Sequence, residues 1–359
     1  MERSFQEKSK LDSLLRVISL DVFALHRRFA IPSLHRSIPV AVRFTPGNQL
    51  RFLSALLLGL LIATLLLSLT RRLNSDEFQL GILALEMNRG RALYSELWDN
   101  HGPSPAWLMA GVFQVWPFED YRQWIGLRLG AFLLSLVSAG FVWLSLCRLY
   151  RSKRLQLLGL LVYLAHPAVI SVGYEVRSDL LLMVFWTAAV FVWVSWNTGK
   201  KERSIWGEVF SGALSAVLLG LCFSTSLKSV FLCGALGLAS LILTLKRPQH
   251  GWVFVGYAVG GVVGLLLWLA PLWWNDTLPH FWEQFVGKNI DRPSPPIFTG
   301  LSELFEWAPL SAFLLLSFSL LGFRLIPGTN SRSQLVLSLW AVMLVLAGAF
   351  CFVLPTHHL

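Results

Sequence analysis

Charged residues are scarce in this sequence, because only 14% of its 359 residues are Asp, Glu, Lys or Arg whereas 55% are hydrophobic. A single soluble core cannot bury that much apolar surface. Signatures of soluble enzymes are missing as well: no Walker loop, GxGxxG, HExxH or GxSxG arrangement stands in a suitable context. The low charge excludes an ordinary soluble domain, and the missing motifs argue against soluble nucleotide chemistry.

Cysteines are few, and no two of the four form a CxxC pair. All of them lie in apolar stretches at unrelated spacings, so we interpret them as small lipid-buried hydrophobes rather than a disulfide framework. The net charge of +10 comes from short basic clusters between apolar runs and not from one continuous face. We therefore expect no nucleic-acid partner.

Long apolar runs dominate what remains, and a bilayer core of about 30 Å needs roughly 20 such residues per helix. A shorter apolar piece, from Pro103 to Pro117, fits a re-entrant or interfacial helix. The predicted fold class is all-α: a polytopic transmembrane bundle of about nine spans, with an extracytoplasmic loop bearing amphipathic interfacial helices. The predicted spans are 52–70, 124–147, 155–173, 180–197, 207–224, 229–245, 252–274, 305–323 and 334–354.

Basic residues set the predicted orientation, because Lys and Arg mark the cytoplasmic side of short loops. Residues 1–50 form a basic arm that we place in the cytoplasm, and residues 51–359 form the transmembrane domain. We expect the protein in the cytoplasmic (inner) membrane, with the basic loops at 148–154 and 197–204 on the cytoplasmic side together with this arm. Arg71 and Arg72 break the rule, since they fall on the outer side.

The outer segments follow from this orientation and are the polar stretches 71–123, 174–179 and 275–304. The chain ends at Leu359, directly after the ninth predicted span. We expect the native protein to continue beyond this residue.

The first outer loop opens with a helix start, since Asn74 and Glu77 have the spacing of an N-cap and its capping-box partner. The helix is predicted to run to about Gly90. Apolar side chains on one face, among them Phe78 and Ile82, would lay it on the membrane surface. Asp76 would then stand at the outer lip of the bilayer. The alternative is that Asp76 and Glu77 only favour the helix dipole.

The second outer turn also carries acidic residues. Glu175 and Asp179 are four apart, so on a helix they would share one face, with Arg177 between them to moderate their repulsion. Ionisable groups so close to hydrocarbon are costly and are often functional. The alternative is a solvated turn between two helices.

Two basic side chains are further candidates for binding a lipid phosphate. Lys228 lies at the outer end of a predicted span and would act as a point charge. His101 would bind phosphate only when it is protonated. The alternatives are a lysine that snorkels to the headgroups and a hydrogen-bonded structural histidine. Gly256, Gly260 and Gly264 repeat every fourth residue, which predicts close helix packing.

Taken in order, these elements resemble the GT-C membrane glycosyltransferases, in particular protein O-mannosyltransferases and the aminoarabinose transferases that modify lipid A. The resemblance covers roughly residues 50–359. Its elements are a first span, Asp76-Glu77 with a surface helix, then 90–94, Asp99-Asn100-His101-Gly102-Pro103, a basic inner loop and the acidic turn 175–179.

The resemblance implies that Asp76 is the catalytic base and that Glu77, its acidic neighbour, is the second catalytic residue. It also implies that Glu175, Arg177 and Asp179 form a second acidic loop, and that His357 and His358 begin a His-containing outer loop. Many relatives have Lys where this chain has His101.

The implied reaction is displacement at the anomeric carbon with inversion, from a polyprenyl-phosphate-linked sugar donor in the membrane lipid to an unknown acceptor. Lys228, His101 or Arg177 would stabilise the leaving phosphate. No cofactor is certain, and the chemistry allows a divalent metal ion between the acidic loops.

A transporter or flippase for a lipid-linked or anionic substrate would explain the spans and the charges equally well. Against it, the sequence shows no convincing inverted repeat, and its acidic residues concentrate in outer loops. A third reading, a structural membrane subunit, predicts no loss of activity when Asp76 is changed.

Overall fold

The computed structural model describes residues 46–116, 122–166, 169–170, 173, 175–198, 204–227, 229–246 and 251–287. Over these residues the chain is helical and contains no β-strand beyond one isolated bridge. The predicted spans at 305–323 and 334–354 lie outside the described residues, as do His357, His358 and Lys228.

Within the described residues, five helices are long and apolar enough to cross a membrane, and they confirm the predicted all-α, multi-pass class. They are Gly47–Thr70, Gln123–Leu149, Ser178–Thr198, Ile205–Phe223 and Trp252–Trp274. In chain order the helices are α1 (Pro46–Thr70), α2 (Ser75–Asn88), α3 (Pro103–Val115), α4 (Arg122–Leu149), α5 (Lys153–Leu164), α6 (Ser178–Thr198), α7 (Ile205–Phe223), α8 (Ser229–Lys246), α9 (Trp252–Trp274) and α10 (Leu278–Phe281), followed by a π-helical turn at Trp282–Gly287.

Helices α7 and α9 approach each other at backbone distance. A Cβ atom at Gly260 would lie 2.1 Å from the carbonyl oxygen of Ala213, and one at Gly256 would lie 2.2 Å from that of Val209. Only glycine leaves room for this contact, which is the arrangement that small residues at four-residue spacing allow in membrane helices. The predicted packing role of the glycine repeat is confirmed.

The largest apolar cluster lies between α4, α6 and α8, with Leu146, Val194 and Leu236 fully buried at its centre. Hydrogen bonds between buried polar side chains link helices of the bundle. The Trp193 indole donates a hydrogen bond to the Ser240 hydroxyl at 2.9 Å, which ties α6 to α8.

One end of the bundle collects the polar elements. The end of α1, the short helices α2 and α3, the start of α4 and the start of α6 all meet there. The basic loop between α4 and α5 lies at the opposite end of α4. The chain therefore separates an end rich in ion pairs from an end that carries Lys and Arg.

Candidate active site

Helix α2 begins with the predicted capping box. The Asn74 side chain accepts a hydrogen bond from the Glu77 N–H at 2.8 Å, and the Asn74 N–H donates to the Glu77 carboxylate at 3.2 Å. The helix ends at Asn88, two residues before Gly90, which has a φ of 91°. Its apolar residue Phe78 is exposed, which fits a face in contact with lipid.

Glu77 is completely buried, and both of its carboxylate oxygens are occupied. Arg128 of α4 donates to it twice, through Nε at 3.0 Å and Nη2 at 2.5 Å, which is the two-pronged geometry of a strong ion pair. The N–H of Val176 donates to Oε1 at 3.0 Å. Glu77 thus joins α2, α4 and the turn before α6.

The same guanidinium also binds the end of α1. Arg128 donates to the carbonyl oxygens of Ser68 and Arg72, at 3.3 and 3.0 Å, and to that of Arg71. Helix ends leave such carbonyls without partners inside the helix, so an arginine there serves as a C-cap. We did not single out Arg128 from the sequence. Its signal is a lone charge just inside an apolar run.

Arg71, one of the two arginines that break the charge rule, takes part in this arrangement. The Arg71 side chain lies 3.9 Å from the buried Glu175 carboxylate, which also accepts a hydrogen bond from the Asn74 amide at 2.5 Å. Burial raises the pKa of Glu175, and Glu77 raises it further, while Arg177 and Arg71 oppose the shift.

Asp76, the residue before Glu77, has a different environment. Its carboxylate forms an ion pair with Arg177 Nη2 at 2.9 Å, and 18% of its side chain is exposed, against 0% for Glu77. Arg177 also lies 3.3 Å from Glu175 and 4.0 Å from Asp179. Of the two neighbouring acids, Asp76 is the one open to solvent.

The expected shared helical face of Glu175 and Asp179 is corrected by the structure. Helix α6 starts at Ser178, so Glu175 precedes it and only Asp179 lies in its first turn. Arg177 pairs with both carboxylates and with Asp76, which brings the two acidic loops together through a charge rather than through a helix.

A small cleft opens beside Asp76 between α2, α3 and the start of α6. Asp76 and His101 both line it, so two of the predicted site residues share one cavity. The lining residues are Asp76, Gln79, Leu80, Leu83, Asp99, His101, Pro105 and Ser178.

His101 is held by Asp99, which is itself buried. Asp99 Oδ1 accepts a hydrogen bond from the His101 N–H at 3.0 Å and lies 2.9 Å from the ring nitrogen Nδ1. Burial lowers the pKa of His101, but the hydrogen bond and charge of Asp99, with the charges of Asp179 and Asp76, raise it overall. The site therefore favours the imidazolium form.

A remote residue, Gln284, and a nearby one, Tyr94, fix the loop that carries His101. The Asp99 N–H donates to Gln284 Oε1 at 3.0 Å, and Gln284 Nε2 donates to the Tyr94 carbonyl at 2.5 Å. The Tyr94 hydroxyl donates to the His101 carbonyl at 2.6 Å. Neither Gln284 nor Tyr94 was predicted to belong to the site.

On its other side, the loop contacts the end of α7. The Gly102 N–H donates to the Thr225 carbonyl at 3.1 Å, and a Cβ atom on Gly102 would lie 2.1 Å from the Ser224 carbonyl oxygen. Glycine is thus required next to His101. Lys228, the other predicted phosphate ligand, follows this turn in sequence but lies outside the described residues.

In the described part of the chain, no three His, Cys, Asp or Glu side chains are grouped so that they could hold a metal ion. The acidic side chains of the site are instead paired with Arg128 and Arg177. The divalent metal stays a prediction without assigned ligands.

Comparison with known proteins finds a family model that matches part of the chain and two solved structures that share its fold. The family model of dolichyl-phosphate-mannose-protein mannosyltransferases matches residues 100–274. This match includes His101 and the turn at 175–179, and it begins after Asp76. No curated protein matches.

Two solved structures share the fold, and both are of ArnT from Cupriavidus metallidurans. The form bound to undecaprenyl phosphate gives a TM-score of 0.54 at 16% identity, covering 85% of this chain and 60% of that one. The apo form gives 0.53 at 16% identity, covering 85% and 59%. The chain therefore spans about three fifths of the length of these structures.

Proposed function

We propose that this protein is an inverting membrane glycosyltransferase that takes a sugar from a polyprenyl-phosphate donor and passes it to an acceptor on the extracytoplasmic face. The observation that carries the proposal is the contrast between two neighbouring acids. Glu77 is fully buried with both oxygens occupied, whereas Asp76 pairs with Arg177 and keeps a partly exposed carboxylate in a cleft shared with His101. The family match and the shared fold support the same class.

Asp76 is the general base in this mechanism. The acceptor hydroxyl attacks the anomeric carbon opposite the phosphate, so a new carbon–oxygen bond forms as the bond to the phosphate oxygen breaks. The hydroxyl proton passes to Asp76, and the phosphate leaves with the electron pair of the broken bond. Cations beside the phosphate stabilise its charge as it departs.

Three basic side chains are proposed for the phosphate. His101 lines the cleft and is favoured as a cation. Arg177 lies at the same edge, where it also holds Asp76 in place. Lys228 stays a prediction, since it lies outside the described residues.

Glu77 is proposed as a positioning residue, which revises its expected catalytic part. No oxygen of Glu77 is free to take a proton from a substrate, because Arg128 and the Val176 N–H occupy both. Its charge instead fixes the start of α2, and so the place of Asp76. Glu175 and Asp179 similarly hold Arg177.

The donor is proposed as a polyprenyl phosphate sugar because a protein of the same fold binds undecaprenyl phosphate. The position of the cleft supports this choice: it opens at one end of the membrane-spanning helices, where a lipid phosphate would stand. The sugar and the acceptor are not specified by these residues.

The test is the variant Asp76→Asn. Asn keeps the shape of the side chain and suits a helix start, so folding should survive. Because Asn accepts no proton at neutral pH, sugar transfer should fall by on the order of a hundredfold to ten-thousandfold. The measurement is transfer of labelled sugar from polyprenyl phosphate per unit of folded protein, in membranes that contain the full-length protein.

A matched control is Asp276→Asn, the same substitution in an exposed turn after α9. Asp276 has a φ of 52°, a conformation that Asn also tolerates, so this variant should transfer sugar like the wild type. Wild-type turnover by Asp76→Asn would refute the catalytic role and favour the transporter or flippase instead.

The side of the membrane is tested by labelling single cysteines with an impermeant reagent, after the four native cysteines have been replaced. Ser152→Cys, in the basic loop before α5, should react only after the membrane is opened. Ser95→Cys, exposed in the first outer loop, should react in intact cells. The reverse pattern would place the cleft on the cytoplasmic face.

A further inference from the structure

The hydrogen bonds of His101 determine which of its ring nitrogens can reach a ligand. Nδ1 lies 2.9 Å from Asp99 Oδ1, so it is engaged by a carboxylate that is almost fully buried. A third of the His101 side chain remains exposed in the cleft. With Nδ1 donating to Asp99, the two charge states of the ring differ only at Nε2. The neutral ring has an acceptor there, and the imidazolium has a donor.

A phosphate oxygen can only accept hydrogen bonds, and so it distinguishes the two states. The imidazolium offers it an N–H and a positive charge, whereas the neutral ring offers a lone pair. A lysine in this position would be charged throughout the neutral range. The histidine therefore makes the cation of the site dependent on pH.

The groups that face His101 from neighbouring elements favour its charged form. Asp76 acts from α2 and Asp179 from the first turn of α6, and Arg177 pairs with both of them. The contacts from the end of α7 and from the π-helical turn are neutral, since they come from backbone carbonyls and from Gln284. Lys228 follows the α7 turn in sequence and lies outside the described residues.

The loop that carries Asp99 and His101 is preorganised, because its hydrogen bonds to the rest of the chain form without a ligand. Gln284 binds the backbone at Asp99 and at Tyr94, and the Tyr94 hydroxyl binds the His101 carbonyl. These bonds fix Asp99 relative to His101 from outside the loop, so the pair does not depend on the substrate for its geometry.

We propose that Asp99 is a positioning residue that holds His101 as a cation aimed at a lipid-linked phosphate, so that phosphate binding weakens as pH rises. The proposal rests on the lipid-phosphate donor of the proposed function. It adds a residue to the site and a pH dependence to donor binding.

The experiment measures the affinity of the full chain for undecaprenyl phosphate between about pH 5.5 and about pH 8.5, the range in which a histidine titrates. His101→Lys is the reference, because its charge does not change in this range. The ligand itself ionises near pH 6, and dividing each affinity by that of His101→Lys removes this contribution. The wild-type ratio should fall by about tenfold as pH rises, since a hydrogen bond to a charged group is lost.

Asp99→Asn separates positioning from structure. Asn can still accept the His101 N–H but no longer supplies a negative charge, so the fall should move to lower pH while unfolding temperature changes little. His101→Gln should show a low ratio with no pH dependence. A wild-type ratio that stays flat, or an Asp99→Asn profile equal to the wild type, would overturn the proposal.

The result also stands apart from the transferase itself. If the wild-type protein transfers no sugar but its affinity for undecaprenyl phosphate depends on pH as expected, the proposed reaction is refuted. The Asp99–His101 pair then remains a phosphate site. Transfer that depends on Asp76 together with a pH-independent affinity would refute only the role of Asp99.

Discussion

Ion pairs and hydrogen bonds hold together the end of the bundle that carries the cleft. Helices α7 and α9 are instead held by direct contact between their backbones at glycine residues. At that end, the Arg128 guanidinium binds Glu77 and the end of α1, and the Glu77 carboxylate accepts a hydrogen bond from the Val176 N–H. Between α7 and α9, the closest approach occurs at Gly256 and Gly260, where no side chain intervenes.

The two regions should respond differently to change. Close packing at glycine resists any added atom but is indifferent to charge. A buried ion pair resists the loss of one partner, because the other is left without compensation in a place that water does not reach. Buried ion pairs suit a reactive site, because they fix polar side chains in one geometry.

The largest effect is expected for Arg128→Met. The variant leaves Glu77 buried without its partner, which should cost about 3–5 kcal/mol of stability. Combining it with Glu77→Gln removes the stranded charge and should recover part of the loss. Thermal unfolding of the purified variants measures both effects. A double variant less stable than Arg128→Met alone would contradict the pairing.

A smaller loss is expected for Gly260→Ala, which adds one methyl group against the Ala213 carbonyl. Overpacking of this kind costs roughly 1–3 kcal/mol. The neighbouring Gly261→Ala is the matched control, because a Cβ atom there meets nothing within 4 Å. Equal unfolding temperatures for the two variants would show that α7 and α9 do not meet as described.

The smallest effect on stability is expected for Gln284→Leu, which removes the two hydrogen bonds to the His101 loop. We expect about 1–2 kcal/mol of destabilisation and a severalfold rise in KM for the donor, with kcat less affected. Gln114→Leu, which loses an exposed hydrogen bond to Asn88, should leave both KM and stability nearly unchanged. A donor KM that stays at the wild-type value in Gln284→Leu would separate Gln284 from the site.

Local patterns predicted much of this structure. Apolar runs of sufficient length located the five helices that can span a membrane, and the three-residue spacing of Asn74 and Glu77 located the start of α2. These features depend on neighbours in sequence. Helix α5 is shorter in the structure than the predicted span at 155–173, since it ends at Leu164.

The pairings of the site could not be predicted in the same way. Arg128 and Glu77 are 51 residues apart, and Gln284 is 185 residues from Asp99. Hydrophobic periodicity does not specify which of several distant charges will meet. The burial of Glu77 and the partial exposure of Asp76 depend on such long-range pairings. The sequence of the Asp-Glu pair therefore does not indicate which of the two acids is buried.

The N-cap position of α2, Asn74, allows fewer residue types than an ordinary N-cap does. Asp, Asn, Ser and Thr usually substitute for one another at a helix start because each needs only to accept a hydrogen bond. Asn74 accepts one from Glu77 and also donates one to the Glu175 carboxylate. Aspartate would face that carboxylate with a second negative charge and no proton to share. Among carboxylate and amide caps, only the amide can join these two loops.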